Sequence, residues 1–197
     1  MTQEPVPVRR TVEDPLALRA LAHPVRLKLV QLVGREGRIT GTEAARQLGI
    51  SQALASHHLR QLAKYGFIER APGEDDRGRP WRVTSTSMDT KSGHPEGRVA
   101  TDLLQQHLLQ EAALQLQDWQ RRRDQYDARW AAPTELASGL IYLTVDEMEE
   151  LRAGLDALIE PLVQRRRIGD HAGRPDDAVP VAFTVLATPV PATENGG

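Results

Sequence analysis

The sequence predicts a mainly α-helical chain with a small β component (α+β), and three observations carry that prediction. Two short capped helices flank a glycine at residues 40 to 64, a hairpin with a Gly/Pro-punctuated tip follows at once, and one long Gly- and Pro-free helical stretch opens the second half. A helix-turn-helix followed by a hairpin is a winged helix, so the expected architecture is a winged helix-turn-helix over 12–86. A linker follows at 87–97, then a long helix at 98–131 and a small strand-helix-strand region at 132–190. Residues 1–11 and 191–197 are expected to be flexible ends.

The supporting helices come first. Leu16 to Val33 holds two apolar-periodic segments divided at His23-Pro24, where Pro24 suits the first position of a helix with Val25, Leu29, Leu32 and Val33 facing inward. Thr40 and Glu43 have the spacing of a reciprocal capping box, which starts a helix near Gly41. Ala44, Ala45 and Leu48 form its small apolar stripe, Gly49 reverses the chain, and Ile50 is expected to plug the turn into the core. Ser51 caps a second helix, 52 to 64, whose Ala55, Leu59 and Leu62 recur at spacings of four and three and face inward.

What remains outward on that helix is Gln52, Ala53, Leu54, Ser56, His57 and Arg60. Small groups, an amide, an imidazole and a guanidinium suit base edges and phosphates. His58, next to core Leu59, reads as a packing residue instead. The β-prone runs Gly66 to Ala71 and Trp81 to Thr84 enclose PGEDDRGRP and make the wing. Arg77 and Arg79 at its tip are expected on phosphates or in the minor groove, although Glu74, Asp75 and Asp76 share that tip and oppose phosphate. Thr40, Ser51 and Lys64 complete the expected DNA-contacting set, with Arg38 a further phosphate contact.

Charge divides in the same place. Residues 1–86 carry 14 Lys+Arg against 9 Asp+Glu and residues 87–197 carry 11 against 18, so a basic half precedes an acidic one. That is the footprint of a DNA-binding domain joined to a domain with another job. With 4 % aromatic residues no row of exposed rings is available to stack unpaired bases, which favours duplex over single-stranded nucleic acid.

Together LRALAHPVRLKLVQLV, EAARQLGISQALASHHLRQLAKYGFIE and GRPWRVT resemble the winged-helix regulators of the ArsR type over roughly the first 85 residues. The resemblance implies a homodimer that binds operator DNA and controls transcription, repression being the usual outcome. It also implies that 52–64 is the recognition helix, with Gln52, Ala53, Ser56 and His57 where that family meets the major groove. The chain departs from the family's metal sensors, because it has no cysteine and therefore no thiolate site. Asp102, His107 and Glu111 on the long helix are too few for a complete site, and neither a metal nor a cofactor is expected.

From Arg98 to Ala131 an approximately helical apolar period would build a helix on the order of 50 Å long, too long for a small domain to cover alone. Its Leu104, Leu108, Leu116, Trp119 and Tyr126 are assigned to dimerisation, with packing on the same chain as the alternative. Pro133 stops it. Thr144 and Glu147 repeat the capping-box spacing before a helix carrying Met148, Leu151, Leu155 and Leu158, flanked by the β-like runs Gly139 to Leu143 and Val181 to Ala187. Those two strands are expected to pair with each other or with a second subunit's; assembly is the role assigned, and a small-molecule effector is the secondary one. No nucleophile with a base, complete ligand set or phosphate loop is visible, so an enzyme is not expected. No apolar run is long enough for a membrane, no signal-peptide core precedes the fold, and a cytoplasmic location is expected. The rival reading is a winged helix that binds protein instead of DNA.

Overall fold

The structure, a computed structural model, describes residues 9–71, 79–85, 87–90, 95–130, 138–165 and 175–191. Strand β1 (Arg9–Val12) leads into α1 (Pro15–Leu21), α2 (Pro24–Glu36), α3 (Gly41–Leu48) and α4 (Gln52–Lys64). The hairpin strands β2 (Ile68–Arg70) and β3 (Trp81–Val83), strand β4 (Ser87–Thr90), the long α5 (Pro95–Arg122) and α6 (Val145–Arg165) follow. This is a mainly helical winged helix-turn-helix with a long helix behind it.

Helices α1 to α4 and α6 begin where a local acceptor satisfies their free N–H groups. Leu16 N–H donates to the Asp14 carboxylate at 3.0 Å before α1, and Val25 N–H donates to His23 Nδ1 at 3.2 Å before α2. Pro15 and Pro24 occupy the first helical positions, where the missing N–H costs nothing. The core gathers Leu18, Leu21, Leu29, Val33, Leu59, Leu62, Phe67 and Ile68, all essentially removed from solvent. The expected inward residues Leu29, Leu32 and Val33 are buried, and Val25 packs against their cluster half-exposed. Ile50 is only half-buried at the turn, so it edges the core without plugging it.

The wing is an antiparallel pair, Ile68 opposite Val83, Glu69 opposite Arg82 and Arg70 opposite Trp81. Ile39 adds an isolated antiparallel rung beside the hairpin, exchanging backbone hydrogen bonds with Trp81 at 3.1 and 2.8 Å. That rung fastens the loop end of the hairpin ladder to the chain just ahead of α3.

Several element bounds differ from the sequence reading. Arg9–Val12, partly inside the segment expected to be flexible, is a strand paired parallel with Ser87–Thr90, which falls in the expected linker. Neither run has a strong β pattern, and parallel partners so far apart in sequence leave no local signal. Arg10 completes the junction by donating to the Tyr65 carbonyl at 3.0 Å and to the Gly66 carbonyl. The long helix begins at Pro95 and ends at Arg122, after which two 3-10 turns, Arg123–Gln125 and Ala128–Trp130, carry the chain on. Tyr126 and Trp130 are therefore outside it. Leu104 is not on an open face, for it is buried with Ala100 where α5 packs against α1.

Beyond Pro133, which lies outside the described residues, α6 forms behind its capping box. Thr144 N–H donates to Glu147 Oε2 at 2.7 Å, and Glu147 N–H donates back to Thr144 Oγ1 at 3.2 Å. Residues 139–143 and 181–187 carry no regular secondary structure and form no ladder among the described residues. Leu140, Ile141, Tyr142, Phe183 and Val185 are exposed, and α6 has no buried residue. Among the described residues the expected strand-helix-strand unit is thus a helix between two runs without a ladder.

Candidate nucleic-acid interface

The geometry of α3 and α4 follows from caps and a single glycine. Glu43 N–H donates to Thr40 Oγ1 at 3.2 Å, while Thr40 N–H and its hydroxyl donate to Glu43 Oε2 at 2.9 and 2.8 Å. Those bonds, the backbone one first, hold the Glu43 carboxyl below the ordinary glutamate range. Gly49 then adopts φ 64° and ψ 32°, the left-handed conformation that ends α3, and Ile50 N–H closes back on the Ala45 carbonyl at 3.0 Å. Ser51 receives Leu54 N–H at 3.2 Å and starts α4 at Gln52.

Packing turns α4 so that one side faces in. Ala55, Leu59 and Leu62 are buried, and so is His58, as its neighbour Leu59 suggests. Gln52, Ala53, Leu54, His57, Arg60 and Lys64 are exposed, with Ser56 half-buried at the margin. The Gln52 amide donates to Thr42 Oγ1 at 3.1 Å, so it is oriented before any ligand arrives. Thr42 was absent from the sequence-derived set; its part depends on how two helices meet across the turn.

Among the expected contacts, Thr40, Gln52, Ser56, Arg60 and Arg79 line one cleft of about 240 Å³ between α4 and the loop end of the wing ladder. Arg70 and Trp81, which sequence reasoning passed over, complete its wall. The Arg70 guanidinium lies 3.8 Å over the Trp81 ring and donates to the Arg79 carbonyl. Only the cross-strand register that sets Arg70 opposite Trp81 reveals that pair. Ala53, Leu54 and His57 stand exposed on α4 outside the cleft's wall, and Ser51 serves as a cap. Lys64, at the far end of α4, reaches over the Tyr65 ring at 5.5 Å. Arg77 lies outside the described residues.

Behind the exposed face, the His58 ring meets His23 at 4.6 Å and the edge of His57 at 5.2 Å. Burial pushes both His23 and His58 below the ordinary histidine range, and the Arg26 charge adds to the effect in each. His58 Nδ1 is buried with no hydrogen-bond partner among the described residues. The Glu111 carboxylate pairs with Lys28 at 3.3 Å, tying α5 to α2. No cluster of three His, Cys, Asp or Glu side chains arranged for a metal occurs among the described residues. No described helix is long and apolar enough to cross a membrane.

Residues 21–71 match the family described as a helix-turn-helix domain. No curated protein matches the chain. Among solved structures the chain is similar to wild-type MarR in its apo form from E. coli. The identity is 17 %, the match covers 74 % of this chain and 87 % of that one, and the TM-score is 0.32. It is also similar to FabT of Streptococcus pneumoniae in complex with DNA, at 15 % identity over 72 % of this chain and 76 % of that one, TM-score 0.30. A third is the adhesin competence repressor AdcR of Streptococcus pyogenes, at 17 % identity over 68 % and 80 %, TM-score 0.30. The matched segment spans α2, α3, α4 and the first wing strand.

Proposed function

We propose that the chain is a sequence-specific, duplex-DNA-binding transcriptional regulator that acts as a homodimeric repressor in the cytoplasm. The observation that carries this reading is the outward side of α4, where Gln52, Ala53, His57 and Arg60 stand exposed on a helix held rigidly by caps at both its own start and that of α3. In this reading α4 enters the major groove, Gln52 and His57 meet base edges, and Arg60 with Lys64 and Arg79 meets phosphates. The basic balance of the first half supports it. ArsR-type kinship is supported by the residues quoted above.

A second copy is invoked because α5 leaves Leu103, Leu108, Leu109, Leu114 and Leu116 exposed along its length. Trp119 and Tyr126, with rings 5.2 Å apart, wall a cleft of about 470 Å³ past the end of that face, where a small-molecule effector has room. The test is fluorescence anisotropy on random and genomically selected duplexes across a salt series. Arg60→Ala is expected to weaken binding to every sequence and flatten the salt dependence, and Gln52→Ala to relax base preference instead. Salt-insensitive or absent binding to random duplex would assign α4 to a protein partner, and unchanged affinity in both variants would remove α4 from the interface.

A further inference from the structure

Gln52 is the first residue of α4, the end from which a groove-reading helix addresses base edges, and its side chain is not free to turn. One N–H of its amide is donated to Thr42 Oγ1 at 3.1 Å, across the turn between α3 and α4. Thr42 is the second residue of α3, whose start is fixed by the Thr40 and Glu43 capping box, and a β-branched side chain on a helix has few rotamers. The starts of the two helices are packed together at this point, since a Cβ added at Gly41 would lie 3.6 Å from Leu59 and 3.7 Å from Ser56 Oγ. The neighbouring hydroxyls are engaged elsewhere, Thr40 with Glu43 and Ser51 with Leu54 N–H. The Thr42 hydroxyl is thus the one that holds the amide.

A primary amide carries two N–H donors and one carbonyl oxygen. With one N–H engaged by Thr42, Gln52 presents a single N–H beside Oε1, one donor next to one acceptor. Adenine offers the complement in the major groove, N7 as acceptor beside the N6 amine as donor. Guanine shows two acceptors, N7 and O6, so one of them would face Oε1, acceptor against acceptor. Cytosine shows an amine alone, and thymine a carbonyl beside a methyl group.

We propose that Thr42 sets the base preference of α4, holding the Gln52 amide in the orientation that selects adenine. Thr42 is a positioning residue that acts through Gln52. The inference rests on the duplex-binding reading above and adds which base Gln52 reads and what aims it.

The test uses the full chain and a pool of duplexes with a randomised central stretch. Sites selected by wild type and by Gln52→Ala are sequenced. The base pair whose preference depends on Gln52 is then varied alone in four labelled duplexes read by anisotropy. Adenine is expected there, preferred by about 5- to 150-fold, the range for one good bidentate pair. Thr42→Val removes the acceptor with little change of shape at an exposed position. It is expected to cut the adenine preference by about 2- to 12-fold, the cost of ordering one freed side chain on binding. Its salt slope should stay that of wild type, because no charge is removed. Thr42→Ser keeps the hydroxyl and should restore the preference. Thr42→Ala, read the same way, decides the matter if melting shows that Thr42→Val is misfolded. Four results overturn the inference and leave the duplex-binding reading standing: an undiminished preference in Thr42→Val, an equal loss of binding to all four duplexes, a base other than adenine at the Gln52-dependent pair, or no such pair. Failure of wild type to bind any duplex overturns both.

Discussion

Acid should loosen α4 from behind, through His23 and His58. His23 Nδ1 accepts the N–H of Val25 and caps α2, so a proton on that nitrogen replaces an acceptor with a donor and breaks the cap. His58, buried on α4 with its ring 4.6 Å from His23, would bring a second positive charge into a space already shared with Arg26, His57 and His107. Both folded-state pKa values are lowered, first by burial, so the folded chain holds fewer protons than the unfolded chain once the pH drops below about 6.5. The stability they contribute is complete above that pH and is lost as the pH falls through it toward the folded values. Each histidine can remove at most about 1.4 kcal/mol per pH unit in that window, or about 2.7 for the pair. With a urea slope of about 2 kcal/mol per molar, the unfolding midpoint would fall by up to about 1.4 M per pH unit. Glu43 and Glu147, whose pKa values are lowered by their capping bonds, contribute only as the pH falls below the ordinary glutamate value, so they do not enter between pH 5 and 6.5. Urea midpoints at pH 8, 7, 6 and 5.5 provide the assay. His23→Asn keeps a capping acceptor and His58→Phe keeps the ring contact, and the double variant should lose most of the pH dependence. If it loses as much stability between pH 7 and 5.5 as wild type, the histidine pair is not the cause.

Two further changes probe the frame that presents α4. Leu59→Ala deletes a side chain with no solvent exposure at the centre of the core and should cost about 2–5 kcal/mol in chemical denaturation, lowering DNA binding through loss of folded protein. Gly49→Ala should cost about 1–2 kcal/mol for its left-handed backbone alone, because an added Cβ meets nothing within 4 Å; a loss near zero would mean that the turn relaxes.

How much of this was legible in the sequence depended on the range of the signal. The bounds of α4, its inward trio and the two capping boxes are set by residues within four positions of each other, and Ser51, Thr40 and Gly49 announce them. Leu104 shows the limit: periodicity gives a helix an apolar side but does not say whether its own α1 or another molecule covers it. The pairing of β1 with β4 and the stack of Arg70 on Trp81 arise from chain segments that meet only after folding, and neither has a local pattern. At 139–143 and 181–187 the apolar runs were visible, while their ladder partners are not found among the described residues.

The short strand at Arg9–Val12 gives the fold a mechanical linkage. Its ladder to Ser87–Thr90 ties it to the segment leading into α5, and its Arg10 guanidinium holds the Tyr65 and Gly66 carbonyls where α4 ends. Tension applied to α5, for instance when two copies rearrange along it, would pass through one ladder and one side chain to the tail of the reading helix. The beginning of the domain thus works as a tie-rod between the long helix and the end of α4.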